Sequence, residues 1–123
     1  MKYVILIRHN PKADEVWASM PAEQRAAGLA VYAALNEDLV ASGELIVTEA
    51  LADPSTAKRV SVRDGEVIAS DGPYAEVKEH LAGFYLIECD SIERAVQYAA
   101  RIPEAAYVEV EVRPVLDHIS VDM

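Results

Sequence analysis

Cysteine is almost missing. Cys89 is the only one in 123 residues, so no internal disulfide can form. A reducing compartment, the cytoplasm, is the expected setting. Basic clusters are missing too: 11 Lys and Arg stand against 21 Asp and Glu, a formal net charge of −10. Nucleic-acid binders carry a basic footprint, and an anionic membrane surface would repel this chain. Neither partner is expected. Long apolar runs are absent near the N-terminus, where Val4–Ile7 is the longest. That is too short for a signal peptide or a membrane span. No GxSxG, GxGxxG or P-loop pattern occurs, which leaves hydrolase-elbow and nucleotide-loop chemistry without a motif. The histidines His9, His80 and His118 form no HExxH or HxxxH pattern. Zinc needs three or four converging ligands, so neither a metal nor a dissociable cofactor is expected.

What is present is globular. Hydrophobic residues make up 52% and charged residues 26% of the chain, and this length suits one domain. Lys2–Ile7 is β-branched and apolar without punctuation, so it reads as a buried central strand. Arg8-His9-Asn10-Pro11 is expected to end it in a turn. Pro21 to Ser42 reads as a helix with Leu29, Tyr32, Leu35 and Leu39 on its inner face. Gly43 stops that helix, and Gly28 inside it suggests close packing, since it costs about 1 kcal/mol against Ala. Glu44–Ala50 reads as a strand. Residues 57–62 and 67–70 flank Asp64-Gly65, a two-residue hairpin turn. Gly83–Cys89 reads as a strand. Asp90 and Glu93 form a capping-box pattern ahead of a helix carrying Ile92, Ala95, Val96 and Ala99. Tyr107–Arg113 alternates strictly, the pattern of a half-buried strand.

The order β-α-β, hairpin, β-α-β predicts an α+β fold. It is a ferredoxin-like split βαβ with an inserted β-hairpin and both helices on one face. In the last strand Val108, Val110 and Val112 are expected to meet the helices, leaving Glu109, Glu111 and Arg113 on the open side. The first strand is apolar on both parities, so the open face also carries Val or Ile and needs a cover. Docking two such faces gives a homodimer with a barrel-like, mixed apolar and charged interior. A solvated face on a monomer is the other reading.

Several residues are candidates for chemistry. Arg8 and His9 end a central strand, where ligand sites gather. Asp71-Gly72-Pro73-Tyr74 is either a plain turn or a rigid loop presenting Asp71 as a general base. In the charge-dense stretch that follows, Lys78 beside the Asp71 loop could bind a substrate carboxylate, and Glu79 neighbours it. Tyr74 and Tyr85 could line the same pocket, with Glu109 and Arg113 facing a shared interior. Cys89 lies in an apolar strand, where a thiol is inert.

The run Asp71-Gly72-Pro73-Tyr74-Ala75-Glu76-Val77-Lys78-Glu79, followed by Ala82-Gly83-Phe84-Tyr85-Leu86-Ile87, resembles the DGPF-domain proteins of the YCII-related family, with Tyr74 where the motif has Phe. The resemblance continues through Glu93-Arg94-Ala95, Ala99–Pro103 and Val110–Val115. It also takes in Met1-Lys2-Tyr3 and Asn36–Leu39. It implies one domain over residues 1–116 with a polar tail at 117–123, in a dimeric α/β-barrel. Most such proteins are small, bacterial and uncharacterised. The wider family is suspected of enzymatic activity because of a His on the first helix and an Asp near the end of the second. The helix read over Pro21–Ser42 has no His, and Ala100–Pro103 has no Asp, so that pair does not transfer. The resemblance and the residues together lead to an expectation of a cytoplasmic homodimer that binds a small polar or anionic organic ligand. Any chemistry would be proton transfer or elimination, with Asp71 as base and Lys78, Arg8 or His9 orienting the anion. The alternative is a non-catalytic interaction module linked to transcriptional control, because DGPF-type domains resemble partners found alongside certain alternative sigma factors.

Overall fold

A computed structural model describes residues 1–74 and 79–117 of the chain. It is a mixed α+β structure. The elements run β1 (Lys2–His9), α1 (Pro11–Ser19), α2 (Ala22–Ser42), β2 (Leu45–Ala50), β3 (Lys58–Arg63), β4 (Glu66–Asp71), β5 (His80–Glu88), α3 (Ile92–Ala99) and β6 (Glu111–Pro114). Short 3-10 turns cover Pro54–Thr56 and Pro103–Ala106. Four strands form an open antiparallel sheet in the order β2-β5-β1-β6, and β3 and β4 form a separate two-stranded ribbon. Among the described residues the sheet does not close into a barrel.

The core follows from strand parity. Tyr3, Ile5 and Ile7 of β1 and Tyr85 and Ile87 of β5 are buried on one face. They meet Leu35 and Leu39 of α2 and Ala95, Tyr98 and Ala99 of α3. Removing each large apolar side chain from water contributes about 1.5–3 kcal/mol. The other parity of the same strands is only half-buried: Val4 and Leu6 pair across from Leu86 and Phe84. Val110 and Val112 pack toward the core as expected. Gly83 has a steric reason: a Cβ there would lie 2.9 Å from the Glu49 carbonyl oxygen on neighbouring β2. The Asp64-Gly65 turn forms with φ of 49° and 80°, the left-handed pair that a twisted two-residue hairpin requires.

The sequence reading and the structure part company at several points. Asn10-Pro11 opens helix α1 rather than ending β1 in a turn. The Asn10 carboxamide accepts the Ala13 amide at 2.7 Å, and Pro11 occupies the first helical position. Ser91, not Asp90, caps α3, accepting the Arg94 amide. β5 starts at His80, three residues before Gly83. β6 is confined to Glu111–Pro114, because the 3-10 turn at Pro103–Ala106 occupies the approach and leaves Val108 and Glu109 outside the strand. Leu29 is exposed, whereas Leu35 and Leu39 are buried. Gly28 has no atom within 4 Å of a Cβ built on it, so close packing is not its role.

A bidentate ion pair ties the ends of the molecule's layers together. Arg94 of α3 donates Nε and Nη2 to the Glu44 carboxylate at 2.6 and 2.7 Å, and the Tyr98 hydroxyl donates to the same carboxylate. The guanidinium and the phenol hold Glu44 down from its ordinary 4.5 to about 2.

Candidate functional site

The site begins with an irregularity in the sheet. The β1–β5 register shifts between Ile7 and Arg8, where Ile7 pairs with Gly83 and Arg8 with Leu81. A bulge of this kind re-aims the side chains beyond it. Those side chains are Arg8 and His9 at the end of β1, and the residue skipped in the pairing is Ala82. All three line a cavity of about 200 Å³. Its remaining walls come from Ala13 and Trp17 of α1, Gly28, Leu29 and Tyr32 of α2, and Pro103, Glu104 and Tyr107 beside the 3-10 turn.

Polar groups are held firmly around this space. His9 Nδ1 lies 3.2 Å from the Asp14 carboxylate on α1. The Tyr32 hydroxyl donates to Glu104 Oε2 at 2.5 Å. Burial first, and then the negative Glu104, push the Tyr32 phenol well above its ordinary range, so it stays a donor. Tyr107 is raised by the same two causes. Arg8 Nη2 meets Glu111 at 3.0 Å on the open sheet face, and Arg113 pairs with the other Glu111 oxygen. The two guanidinium groups, Arg8 foremost, hold the Glu111 carboxyl below its usual range.

Two shallower grooves adjoin the cavity. One, of about 760 Å³, brings Arg8 together with Asn10, Lys12, Glu79 and Glu109. The other, of about 450 Å³, holds His9, Asp14, Asp53 and His80. The Ser55 amide on the Asp53 carboxylate keeps that group below its usual range. Among the described residues no group of three or more His, Cys, Asp or Glu is arranged to hold a metal ion.

The expected site residues therefore separate into sets. Arg8 and His9 stand on the cavity wall; Glu79 and Glu109 share the adjoining groove with Arg8. Arg113 joins them through Glu111. Tyr85 lies behind the cavity, its hydroxyl on Asn36 and its phenol raised by burial. Asp71 ends β4 with its side chain 85% exposed and paired with Lys58. Tyr74 is exposed, with the Arg59 guanidinium 5.2 Å from its ring centre. Pro73 of the same loop reaches a groove shared with Asp53 and His80. Lys78 lies outside the described residues.

Sequence reasoning missed Asp14, Trp17, Tyr32 and Glu104 as site residues. For the first two a signal existed: Asn followed by Pro is an N-cap and first-turn pair, and accepting it would have put Asp14 and Trp17 on a helix beside His9. The pairing of Tyr32 with Glu104 joins residues 72 positions apart, and no local pattern announces it.

Comparison with known proteins agrees with this chain's family resemblance. A family model described as the YCII-related domain matches residues 1–119. An uncharacterised protein of Rhizobium meliloti (strain 1021) is 32% identical over 116 residues, covering 93% of this chain and 91% of that relative.

Proposed function

This chain belongs to the YCII-related family, and from that premise we propose that it binds a small polar or anionic organic ligand in the cavity at the end of β1. The observation that carries the reading is that Arg8, His9 and the Tyr32–Glu104 pair all line this one cavity. Ligand sites combine an apolar enclosure with a few fixed polar groups, and this cavity sets Ala13, Trp17, Leu29 and Ala82 beside the Tyr32–Glu104 and His9–Asp14 pairs. Arg8, whose Nη2 meets Glu111 on the open sheet face, would turn from that partner to take the anionic group. His9 would take or return a proton through Nε2, with Asp14 accepting from Nδ1 and fixing the ring. The chemistry that fits is proton transfer at a carbon acid of the ligand, with elimination as an extension where a leaving group sits beside that carbon.

The strand order β2-β5-β1-β6 is consistent with a ferredoxin-like sheet. Its half-exposed face of Val4, Leu6, Phe84 and Leu86 supports a homodimer that mates these faces. Cys89 is a buried free thiol, in keeping with a reducing cytoplasm. No helix among the described residues is long and apolar enough to cross a membrane. A second reading, a protein-interaction module, is favoured by the β3–β4 ribbon, which exposes Val60, Val62 and Val67.

The test is ligand-observed NMR and thermal shift with a panel of short carboxylates. Binding is expected to weaken at least tenfold in Arg8→Met. In deuterated water the wild type should catalyse exchange of the acidic C–H of a bound carboxylate, and His9→Gln should not. Carboxylate binding that is untouched by Arg8→Met would overturn the site.

A further inference from the structure

Helix α1 is the least anchored wall of the cavity. Ala13 alone of its nine residues is buried. Helix α3, one residue shorter, buries Ala95, Tyr98 and Ala99. Among the described residues no backbone hydrogen bond joins α1 to another element; its outward bonds run to Asn10 and Met20, at its own ends. Two side-chain contacts reach it from outside. His9 and Asp14 meet at 3.2 Å with side chains 46% and 65% exposed. The Arg25 guanidinium lies 5.9 Å from the centre of the Trp17 ring, at the far edge of cation–π range. Exposed contacts of both kinds hold weakly.

The connections on either side are short and extended. Asn10, with φ −146° and ψ 168°, is the one residue between β1 and α1. Met20 and Pro21, with ψ of 138° and 152°, are the two between α1 and α2. Hinges are a few such residues at the ends of elements. The other walls are fixed. β1 and β5 are paired within the sheet, and Tyr32 of α2 is bonded to Glu104 beside the 3-10 turn. Trp17 lines the cavity and is nonetheless 41% exposed. An unfilled cavity leaves its lining without partner atoms on one side. A ligand inside supplies them, so it favours the state in which Ala13 and Trp17 lie over it.

Resting on the reading that this cavity takes a small ligand, we infer that α1 is its lid. The helix pivots on Asn10 and on Met20-Pro21, admits the ligand, and closes with Trp17 against it. The same closure carries Asp14 to His9, so the pair that would move the proton is complete in the closed state alone.

The experiment is native-state hydrogen exchange on the full chain, read beside acrylamide quenching of Trp17, the only tryptophan. In the free protein the amides of Glu15 to Ser19 are expected to be at least about tenfold less protected than those of Ala95 to Ala99, through a local opening that low urea leaves unchanged. The ligand probe is butyrate. At saturation it should slow exchange in α1 at least about fivefold and lower the quenching constant of Trp17 at least about twofold, because only the closed state holds it. A helix that merely frays would exchange at the same rate with butyrate bound. Trp17→Ala, a change at a half-exposed residue, should stay folded and bind butyrate at least about threefold more weakly. An α1 as well protected as α3 in the free protein would overturn the lid. Arg8-dependent binding of butyrate with α1 exchange unchanged would overturn it too and leave the underlying site standing. If neither butyrate nor the other short carboxylates bind, the lid falls with the site.

Discussion

Glu44 joins the start of β2 to α3 through two charge-assisted bonds from Arg94 and one from Tyr98. Its side chain is only 13% exposed, so the pair is stronger than an open surface ion pair. The folded-state value near 2 lies below the ordinary 4.5. A depressed carboxylate contributes its full stabilisation above the unfolded value and loses it as pH falls toward the folded one. The contribution should be complete above about pH 4.5 and disappear between there and about pH 2. Discounted for the half-exposed guanidinium, it amounts to about 1–2 kcal/mol. Urea unfolding at a series of pH values should show this loss in the wild type. In Glu44→Gln the curve should be flatter by that amount over the same window, and an unchanged slope would remove the assignment.

At the level of elements, helix α1 matters most, because it carries Asp14 to His9 and Trp17 to the cavity. Its start depends on the Asn10 carboxamide. Losing such a cap costs about 1 kcal/mol. Asn10→Ala is therefore expected to lower stability by about that amount, and Asn10→Asp or Asn10→Ser to restore most of it. Hydrogen exchange should quicken first in α1, and protection unchanged there would count against the cap. This helix also marks where the sequence was legible and where it was not. The Asp64-Gly65 hairpin, the glycine stop at Gly43 and the long α2 could be read because turn and cap chemistry is local. Asn10-Pro11 could be read in two ways, since Pro both ends a strand and begins a helix. The run of apolar residues in β1 favoured the first. The alternation at Tyr107–Arg113 correctly turned Val110 and Val112 toward the core but was extended too far as a strand, since residues 107–110 are taken up by the turn that leaves the 3-10 segment at Pro103–Ala106 and the ladder begins only at Glu111. Of the site, Arg8 and His9 were visible as the end of a central strand. The bulge that turns them, and the partners Tyr32 and Glu104, arise from tertiary pairing and leave no trace in local sequence.

On the scale of the whole molecule, two forces meet on the open face of the sheet. Val4, Leu6, Phe84 and Leu86 lie half-exposed there, flanked by the Arg8–Glu111–Arg113 chain of charges. Burying such a face against a second copy is favourable, and stable interfaces cover about 1,600 Å² in total. Opposing this, each copy carries a net charge of −10, so two copies repel each other at long range. Salt should then strengthen association: raising ionic strength from about 0.1 to 1 M shortens the screening length from about 10 to 3 Å, while apolar burial is undiminished. Sedimentation equilibrium is expected to give a dimer whose dissociation constant falls as salt rises. Leu86→Lys puts an unpaired charge into the centre of the mated faces and should leave a folded monomer with native far-UV dichroism. Had the faces been joined chiefly by ion pairs from Arg8 and Arg113 to the partner's acids, salt would loosen the dimer instead. A monomer at every salt concentration, or a Leu86→Lys protein that dimerises like the wild type, would remove the face-to-face assembly and leave the half-exposed sheet to another occupant.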